Sequence, residues 1–390
     1  MGFADGRGSE DRWRRLTRSL ALRDRYWCYS RRPTPRDPTQ GWKLHLSATI
    51  LSAPAVLAAV GAILRQGDVL FKVPRDLEQL RWLNKGAAGF SQIGKFLTAY
   101  PRSPEEAVAL AAKLDRATRG LVGPEIPYDC RYQRSSLVYY RYGAFRASPQ
   151  APAGFIRTPK GQLARDRRAA GGAIPSGVVD PFRRRGAVRK LSGLIGTKYF
   201  LYRGKMQRGK GGVYEAIDFS GPMARLVIIK EGRRHGETDL AGEDGFTRVA
   251  REARVLRRLR AAGVAVPEVF LEFTQDRNRY LVLEKIPGRP LLFSRRDHPV
   301  HSSWRRARNI LNQLEPLLAS IHAAGWVWRD CKPSHIFRHR GRIVPIDFEG
   351  ACRINDTVAL PWSSPNYTSR HHERPRPRCP EPGKMTTRWA

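Results

Sequence analysis

An aspartate two residues ahead of a lysine, in the run Trp328-Arg-Asp-Cys-Lys-Pro-Ser-His-Ile336, is followed across an apolar strand by Asp347-Phe-Glu-Gly350. Phosphoryl transfer from a nucleotide needs these parts: a carboxylate to accept the proton of an attacking hydroxyl, a cation against the moving phosphoryl group, and a carboxylate to hold a metal ion. Asp330, Lys332 and Asp347 stand in those roles. Upstream, Gly209, Gly211 and Gly212 precede Val213 and offer a flexible turn whose amides can face phosphate oxygens, since no Cβ blocks close approach. Lys230 ends the apolar run Leu226-Val-Ile-Ile, and Glu252 follows where a helix could pair it with that lysine. Taken singly, such a lysine is a strand-end surface charge and such glycines are an ordinary hairpin turn. Their order along the chain is what points to a nucleotide site.

The elements that must carry these residues are legible in the periodicity. An alternating stretch begins near Tyr199 and runs through the glycine cluster to Lys230. A helix is predicted over about 246–262, with Val249, Ala253, Leu256 and Leu259 on one face and Gly263 as its stop. Two strands, 270–273 and 280–286, and a helix over 304–324 complete the order. Ahead of them the pattern is mixed: strand 43–48, helix 55–65, strand 70–73, helix 104–116 and strand 136–141. The apolar run from Leu46 to Leu64 is read as a strand entering a buried helix rather than a membrane span, because Ser47, Thr49, Ser52 and Pro54 interrupt its start.

The expected organisation is a charged lead-in over 1–40, an α+β domain over 41–182, a linker over 183–196, a second domain over 197–368 and a disordered tail over 369–390. A formal net charge of +36 predicts anionic partners, although most individual arginines are ordinary solvated charges. Five cysteines without paired spacing look like reduced thiols of a cytoplasmic protein, and the N-terminus carries no export signal.

The ordered set from the glycine cluster to Asp347-Phe-Glu-Gly350 resembles the protein-kinase superfamily over about 197–368. The resemblance implies a bilobal fold, ATP or GTP with Mg2+ as cofactors, and adenine contact by the backbone near Glu284 and Ile286. Two departures stand out. His335 occupies the position of the family's second metal ligand, an asparagine, and imidazole is a poorer partner for magnesium than an amide oxygen. Only 43 residues follow Asp347, so the C-lobe is expected to be shortened and activity weakened or lost.

The N-terminal half carries Gly41-Trp-Lys-Leu-His-Leu-Ser-Ala48, Phe71-Lys-Val73, Ser91-Gln-Ile-Gly-Lys-Phe96, Asp129-Cys-Arg131, Tyr140-Arg-Tyr-Gly-Ala-Phe145 and Asp180-Pro-Phe182. These motifs resemble the lyase domain of class III and class IV lanthipeptide synthetases, which is similar to phosphothreonine lyases. In such synthetases a kinase phosphorylates Ser or Thr of a precursor peptide bearing a leader segment, and the lyase expels the phosphate to leave a dehydroamino acid. The resemblance implies Lys72 as base, Lys43 as stabiliser of the enolate oxygen, His45 as acid, and Arg131 and Arg141 as phosphate clamps. Lys43 and His45, two apart on a strand, share a face. Neighbouring Lys43 and arginines are expected to lower the Lys72 pKa by repulsion. Lys95 is read as a surface charge.

None of the zinc-ligand motifs of the synthetases' cyclase domain occurs, so cyclisation by this chain is not expected; the expectation is a dehydrating fragment that either works with a separate cyclase or is the truncated product of a longer gene. The remaining alternatives are a stand-alone or inactive Ser/Thr kinase-like binding module and, last, a nucleic-acid binder, for which the sequence offers no reading helix or stacking platform.

Overall fold

The computed structural model describes residues 6–169, 172, 174–182, 193–291 and 304–356. Seven strands form the N-terminal sheet: β1 (Leu22–Arg23), β2 (Trp27–Tyr29), β3 (Gln40–Leu46), β4 (Leu70–Pro74), β5 (Leu97–Tyr100), β6 (Cys130–Arg131) and β7 (Val138–Ala144). Their spatial order is β1-β2-β4-β5-β3-β7-β6. Four helices accompany them: α1 (Gly6–Thr17), α2 (Ala53–Gln66), α3 (Leu77–Lys85) and α4 (Pro104–Ala117). Strand alternation separates the two faces of the sheet. Trp42, Leu44 and Leu46 of β3 join Phe71, Val73, Ala99, Val138 and Tyr140 in one core with α2 and α4. Lys43, His45, Lys72 and Arg141 occupy the intervening positions and face away from that core.

The apolar run from Leu46 to Leu64 is divided as expected. Thr49 and Ser52 exchange hydrogen bonds, with the Thr49 amide donating to Ser52 Oγ (2.9 Å) and the Ser52 amide to Thr49 Oγ1 (3.0 Å), so the chain turns before α2 begins. At 14 residues α2 spans only about 21 Å. Among the described residues no helix is long and apolar enough to cross a membrane. Helix α4 starts at Pro104, with Ser103 accepting from the Glu106 amide (3.1 Å).

The boundary expected at residue 40 is corrected by the structure. Strands β1 and β2 belong to the sheet, β2 pairing with β4, and Trp13 of α1 is fully buried in the core with its ring 5.6 Å from Phe96. Strands of two or three residues leave no periodic signature, and that is why the sequence hid them. Trp13→Ala is expected to cost about 3–5 kcal/mol of stability in urea unfolding. A loss below about 1 kcal/mol would return α1 to the status of a lead-in.

After the hairpin β8 (Phe155–Arg157) and β9 (Leu163–Arg165), a second sheet runs in the order β10-β11-β12-β13-β15-β14. Its strands are β10 (Leu194–Ile195), β11 (Tyr199–Arg208), β12 (Gly211–Asp218), β13 (Arg225–Gly232), β14 (Val269–Gln275) and β15 (Asn278–Glu284). Leu194 and Ile195, read as linker, pair with β11 instead. Helix α5 (Gly245–Ala261) packs on β13 and β15 and is started by a capping box between Asp244 and Thr247. The remaining elements are β16 (Arg289–Pro290), α6 (Trp304–Ala323), β17 (Trp326–Val327), β18 (Ile336–His339), β19 (Arg342–Pro345) and β20 (Cys352–Arg353). The fold is α+β, an N-terminal domain followed by a kinase-like one. The linker residues 183–192 and the tail over 369–390 lie outside the described residues.

Candidate active site

Two groups of chemically competent side chains assemble, one in each domain. In the second, β13 carries Lys230 to within 2.6 and 2.8 Å of the Glu252 carboxylate oxygens and 2.9 Å of Asp347 Oδ1. Glu252 sits on the buried side of α5, and its Oε1 also accepts from the Phe348 amide (3.1 Å). The Trp328 indole donates to the Asp347 carbonyl (3.1 Å) and stacks on Phe348 at 5.4 Å. Arg329 and Asp347 adopt left-handed backbone (φ 65° and 67°), a conformation that surrounding contacts must hold in place. Burial would raise the Asp347 carboxyl, but Lys230, Lys210 and His335 outweigh it and hold it well below the carboxylate range. Burial would likewise lower Lys230, and Asp347 and Glu252 reverse the sign, so this ammonium stays charged.

Asp330 lies across from this pair. Lys332 Nζ is 2.9 Å from its Oδ2, and His335 bridges, with Nδ1 3.4 Å from Asp330 Oδ2 and Nε2 3.3 Å from Asp347 Oδ2. Asp330, His335 and Asp347 each offer a donor atom within 4.8 Å of the other two. The two carboxylates suit a hard cation such as Mg2+, and the imidazole shifts the set towards softer divalent ions. The sequence supplied His335 and Asp347 for this role, and the structure adds Asp330.

The glycine cluster differs from a loose phosphate cradle. The Gly209 amide donates to the Lys85 carbonyl of α3 (3.3 Å), and a methyl group added at Gly209 would run into the Asn84 carbonyl. Gly211 approaches the Glu231 carbonyl as closely. Gly212 pairs with Gln207 across the hairpin, and Val213 pairs with Lys230. These glycines admit neighbouring backbone, from the N-terminal domain as well as from β13, before they admit any ligand. Glu284 is committed too: its amide donates to the Glu268 carbonyl (2.9 Å) and its carboxylate accepts from the Glu268 amide (3.1 Å). Ile286, half-buried, follows the end of β15.

In the N-terminal domain the register aligns one row across the sheet: Tyr29, Lys72, Thr98, His45, Tyr139 and Arg131 are successive partners on β2, β4, β5, β3, β7 and β6. Lys43 and Arg141 pair in the next row on the same face. Lys43 and Lys72 keep partial access to solvent while protein crowds them, as at the floor of a concave surface. His45 Nδ1 lies 2.5 Å from Asp129 Oδ2, and Lys95 Nζ lies 3.1 Å from Asp129 Oδ1. Lys95, read as a surface charge, is therefore corrected: it is 3% exposed and belongs to the buried cluster.

Burial pushes Lys72 down to about 8, opposed by Asp24 and helped by Lys95 and Arg168. Lys95 and Arg168 are the cations that lower Lys72, and the mutual repulsion of Lys43 and Lys72 falls on Lys43 rather than on Lys72. Its ammonium also sits 4.1 Å from the centre of the Trp27 ring. Lys43 is driven well below the usual lysine range by burial and then by Arg141. Burial and Lys95 push His45 down to about 3, against Asp129, so the imidazole is neutral at neutral pH. Asp129 itself stays ionised at about 2, because His45 and Lys95 overcome the opposing effect of burial. Arg131 lies over the Tyr139 ring at 4.9 Å. Arg141 is buried in an ion pair with Asp166, which offsets its charge at this face. The hairpin of β8 and β9 returns both Asp166 and Arg168, and Arg168 donates to Ser91 Oγ (2.7 Å). Neither was read from the sequence, since both sit past a strand too short to show a period.

Residues 6–192 match the family of the RamC N-terminal domain, and residues 238–366 match the lipopolysaccharide kinase (Kdo/WaaP) family. A probable SapB synthase of Streptomyces coelicolor is 32% identical over 361 residues, covering 87% of this chain and 38% of that protein. Serine/threonine-protein kinase F of Synechocystis is 29% identical over 154 residues, 36% of this chain and 31% of the kinase. The KEOPS complex subunit Bud32 of Pyrococcus abyssi is 33% identical over 147 residues, 37% of this chain and 63% of that subunit. The chain spans less than two fifths of the length of the first two relatives. These matches agree with the resemblance to class III and class IV lanthipeptide synthetases at the level of both domains: the first part of the chain is similar to the RamC N-terminal domain and the second is kinase-like, similar to the Kdo/WaaP family.

Proposed function

We propose that this chain phosphorylates Ser or Thr of a precursor peptide, using ATP or GTP, and then eliminates the phosphate to leave dehydroalanine or dehydrobutyrine. The observation that carries this reading is the convergence of Lys43, His45 and Lys72 on one sheet face, in the same polypeptide as the Lys230, Glu252 and Asp347 cluster. At the kinase site Asp330 takes the hydroxyl proton and Lys332 faces the transferring group. Asp330, His335 and Asp347 would hold a divalent cation, whose charge when bound neutralises the phosphate oxygens. At the second site neutral Lys72 takes the Cα proton, the electron pair becomes the Cα=Cβ bond, and the Cβ–O bond breaks. Lys43 steadies the enolate oxygen, and the departing phosphate takes a proton from His45. The two negative charges of a phosphomonoester oppose the downward shift of His45, so substrate binding favours the protonated imidazole that this role requires. Arg131 lies where the row meets the rim, suited to hold phosphate.

Because Lys72 must be neutral to act, the rate of elimination is expected to rise with pH through about 8 and to fall below it. A flat profile between pH 6 and 9, measured on a phosphoserine peptide, would remove Lys72 as the base. The whole proposal is tested by incubating the chain with ATP, Mg2+ and a Ser-rich peptide under mass spectrometry. A peptide that gains no phosphate and loses no water would count against it. A kinase-only reading draws on one observation, the neutralisation of Arg141 by Asp166. Under it, phosphopeptide accumulates and is never consumed.

A further inference from the structure

The side chain of Lys210, at the tip of the glycine turn, is the one cation of that turn aimed at the catalytic carboxylates. Its Nζ is ion-paired with Glu349, two residues past Asp347. The backbone around it is braced. The Lys210 carbonyl accepts from the Arg233 amide (2.8 Å), and a methyl group added at Gly245 would collide with that carbonyl. Arg233 also donates through Nη1 to the Arg208 carbonyl (3.0 Å) and through Nη2 to Gln207 Oε1 (2.6 Å). Its guanidinium lies 5.2 Å from the Phe90 ring of the N-terminal domain, which faces the same turn through Lys85. A turn held at so many points cannot fold its amides freely around a polyphosphate. It can, however, present one long side chain in a fixed direction. Lys230 reaches Asp347 and Lys210 reaches Glu349 two residues on, so the two ammonium groups approach neighbouring carboxylates from the same sheet.

We propose that Lys210 is a second phosphate-binding lysine of the nucleotide site, its ammonium leaving Glu349 for the phosphate oxygens of a nucleoside triphosphate as that ligand enters. The assignment rests on the kinase reading above. It supplies from a side chain the positive charge that Gly209, bound to Lys85, does not give through its amide. Glu349 holds the lysine in place between turnovers.

Removing Lys210 alone leaves a buried carboxylate unpaired, so the informative comparison is Glu349→Gln against Lys210→Met/Glu349→Gln, both in the full chain. Binding of a non-hydrolysable ATP analogue with Mg2+, and of adenosine, is measured by calorimetry for both. Triphosphate affinity is expected to fall on the order of tenfold on loss of the lysine, with adenosine affinity changed by less than about twofold. Equal triphosphate affinity in the two variants would overturn the assignment and leave the kinase reading intact. A parallel fall for adenosine would also overturn it, making Lys210 a structural clamp. No nucleotide binding by the unsubstituted chain would overturn the kinase reading and Lys210's role together.

Discussion

Lys72→Ala is expected to leave the peptide phosphorylated and to slow its conversion to the dehydroamino acid by about 10²–10⁴-fold, the usual contribution of a positioned base. Lys72 pairs with Thr98, and Thr98 pairs with His45, so the proposed base and acid stand on a common face with one strand, β5, between them. Burial, with Lys95 and Arg168, brings Lys72 to about 8, so an appreciable fraction is neutral near neutral pH. Lys72→Arg sharpens the test, because a guanidinium keeps the charge and never becomes a base. It too is expected to accumulate phosphopeptide. Normal dehydration by either variant would remove Lys72 from the chemistry. The readout is the ratio of phosphorylated to dehydrated peptide by mass spectrometry.

Asp330→Asn is expected to do the reverse. It removes the group that accepts the hydroxyl proton, one of the three donors shared with His335 and Asp347, and phosphorylation should fall by about 10²–10⁴-fold. Elimination from a peptide already bearing phosphoserine should continue at the unsubstituted rate, since Asp330 has no place in the N-terminal sheet. Each site then fails alone and the other survives. If Asp330→Asn stopped both steps equally, the two sites would not be chemically separate, and the account of two successive reactions would need replacing.

Much of this arrangement is legible in the amino-acid sequence itself. Lys43 and His45, two apart on a strand, have to share a face, and β3 places them so. The pairing of Lys230 with Glu252 follows from a strand end and a helix face, and the carboxylate lies 2.6 Å away. What stays hidden has a common cause. Lys95 and Asp129 sit on loops, where no period says which side chains turn inward, and only the fold brings them to His45. Asp166 and Arg168 depend on a hairpin of three-residue strands. The glycines at 209 and 211 are legible as backbone without Cβ, but sequence cannot say whether the open space serves a ligand or a neighbouring carbonyl. Here Asn84 and Glu231 take it.

The most direct measurement offers the unsubstituted chain a synthetic phosphoserine peptide with no nucleotide present and follows its mass over time. The account predicts loss of phosphate and appearance of dehydroalanine, since elimination draws only on the N-terminal site of Lys43, His45, Lys72 and Arg131. A phosphopeptide that persists unchanged, while the same chain with ATP and Mg2+ phosphorylates the unmodified peptide, would contradict it.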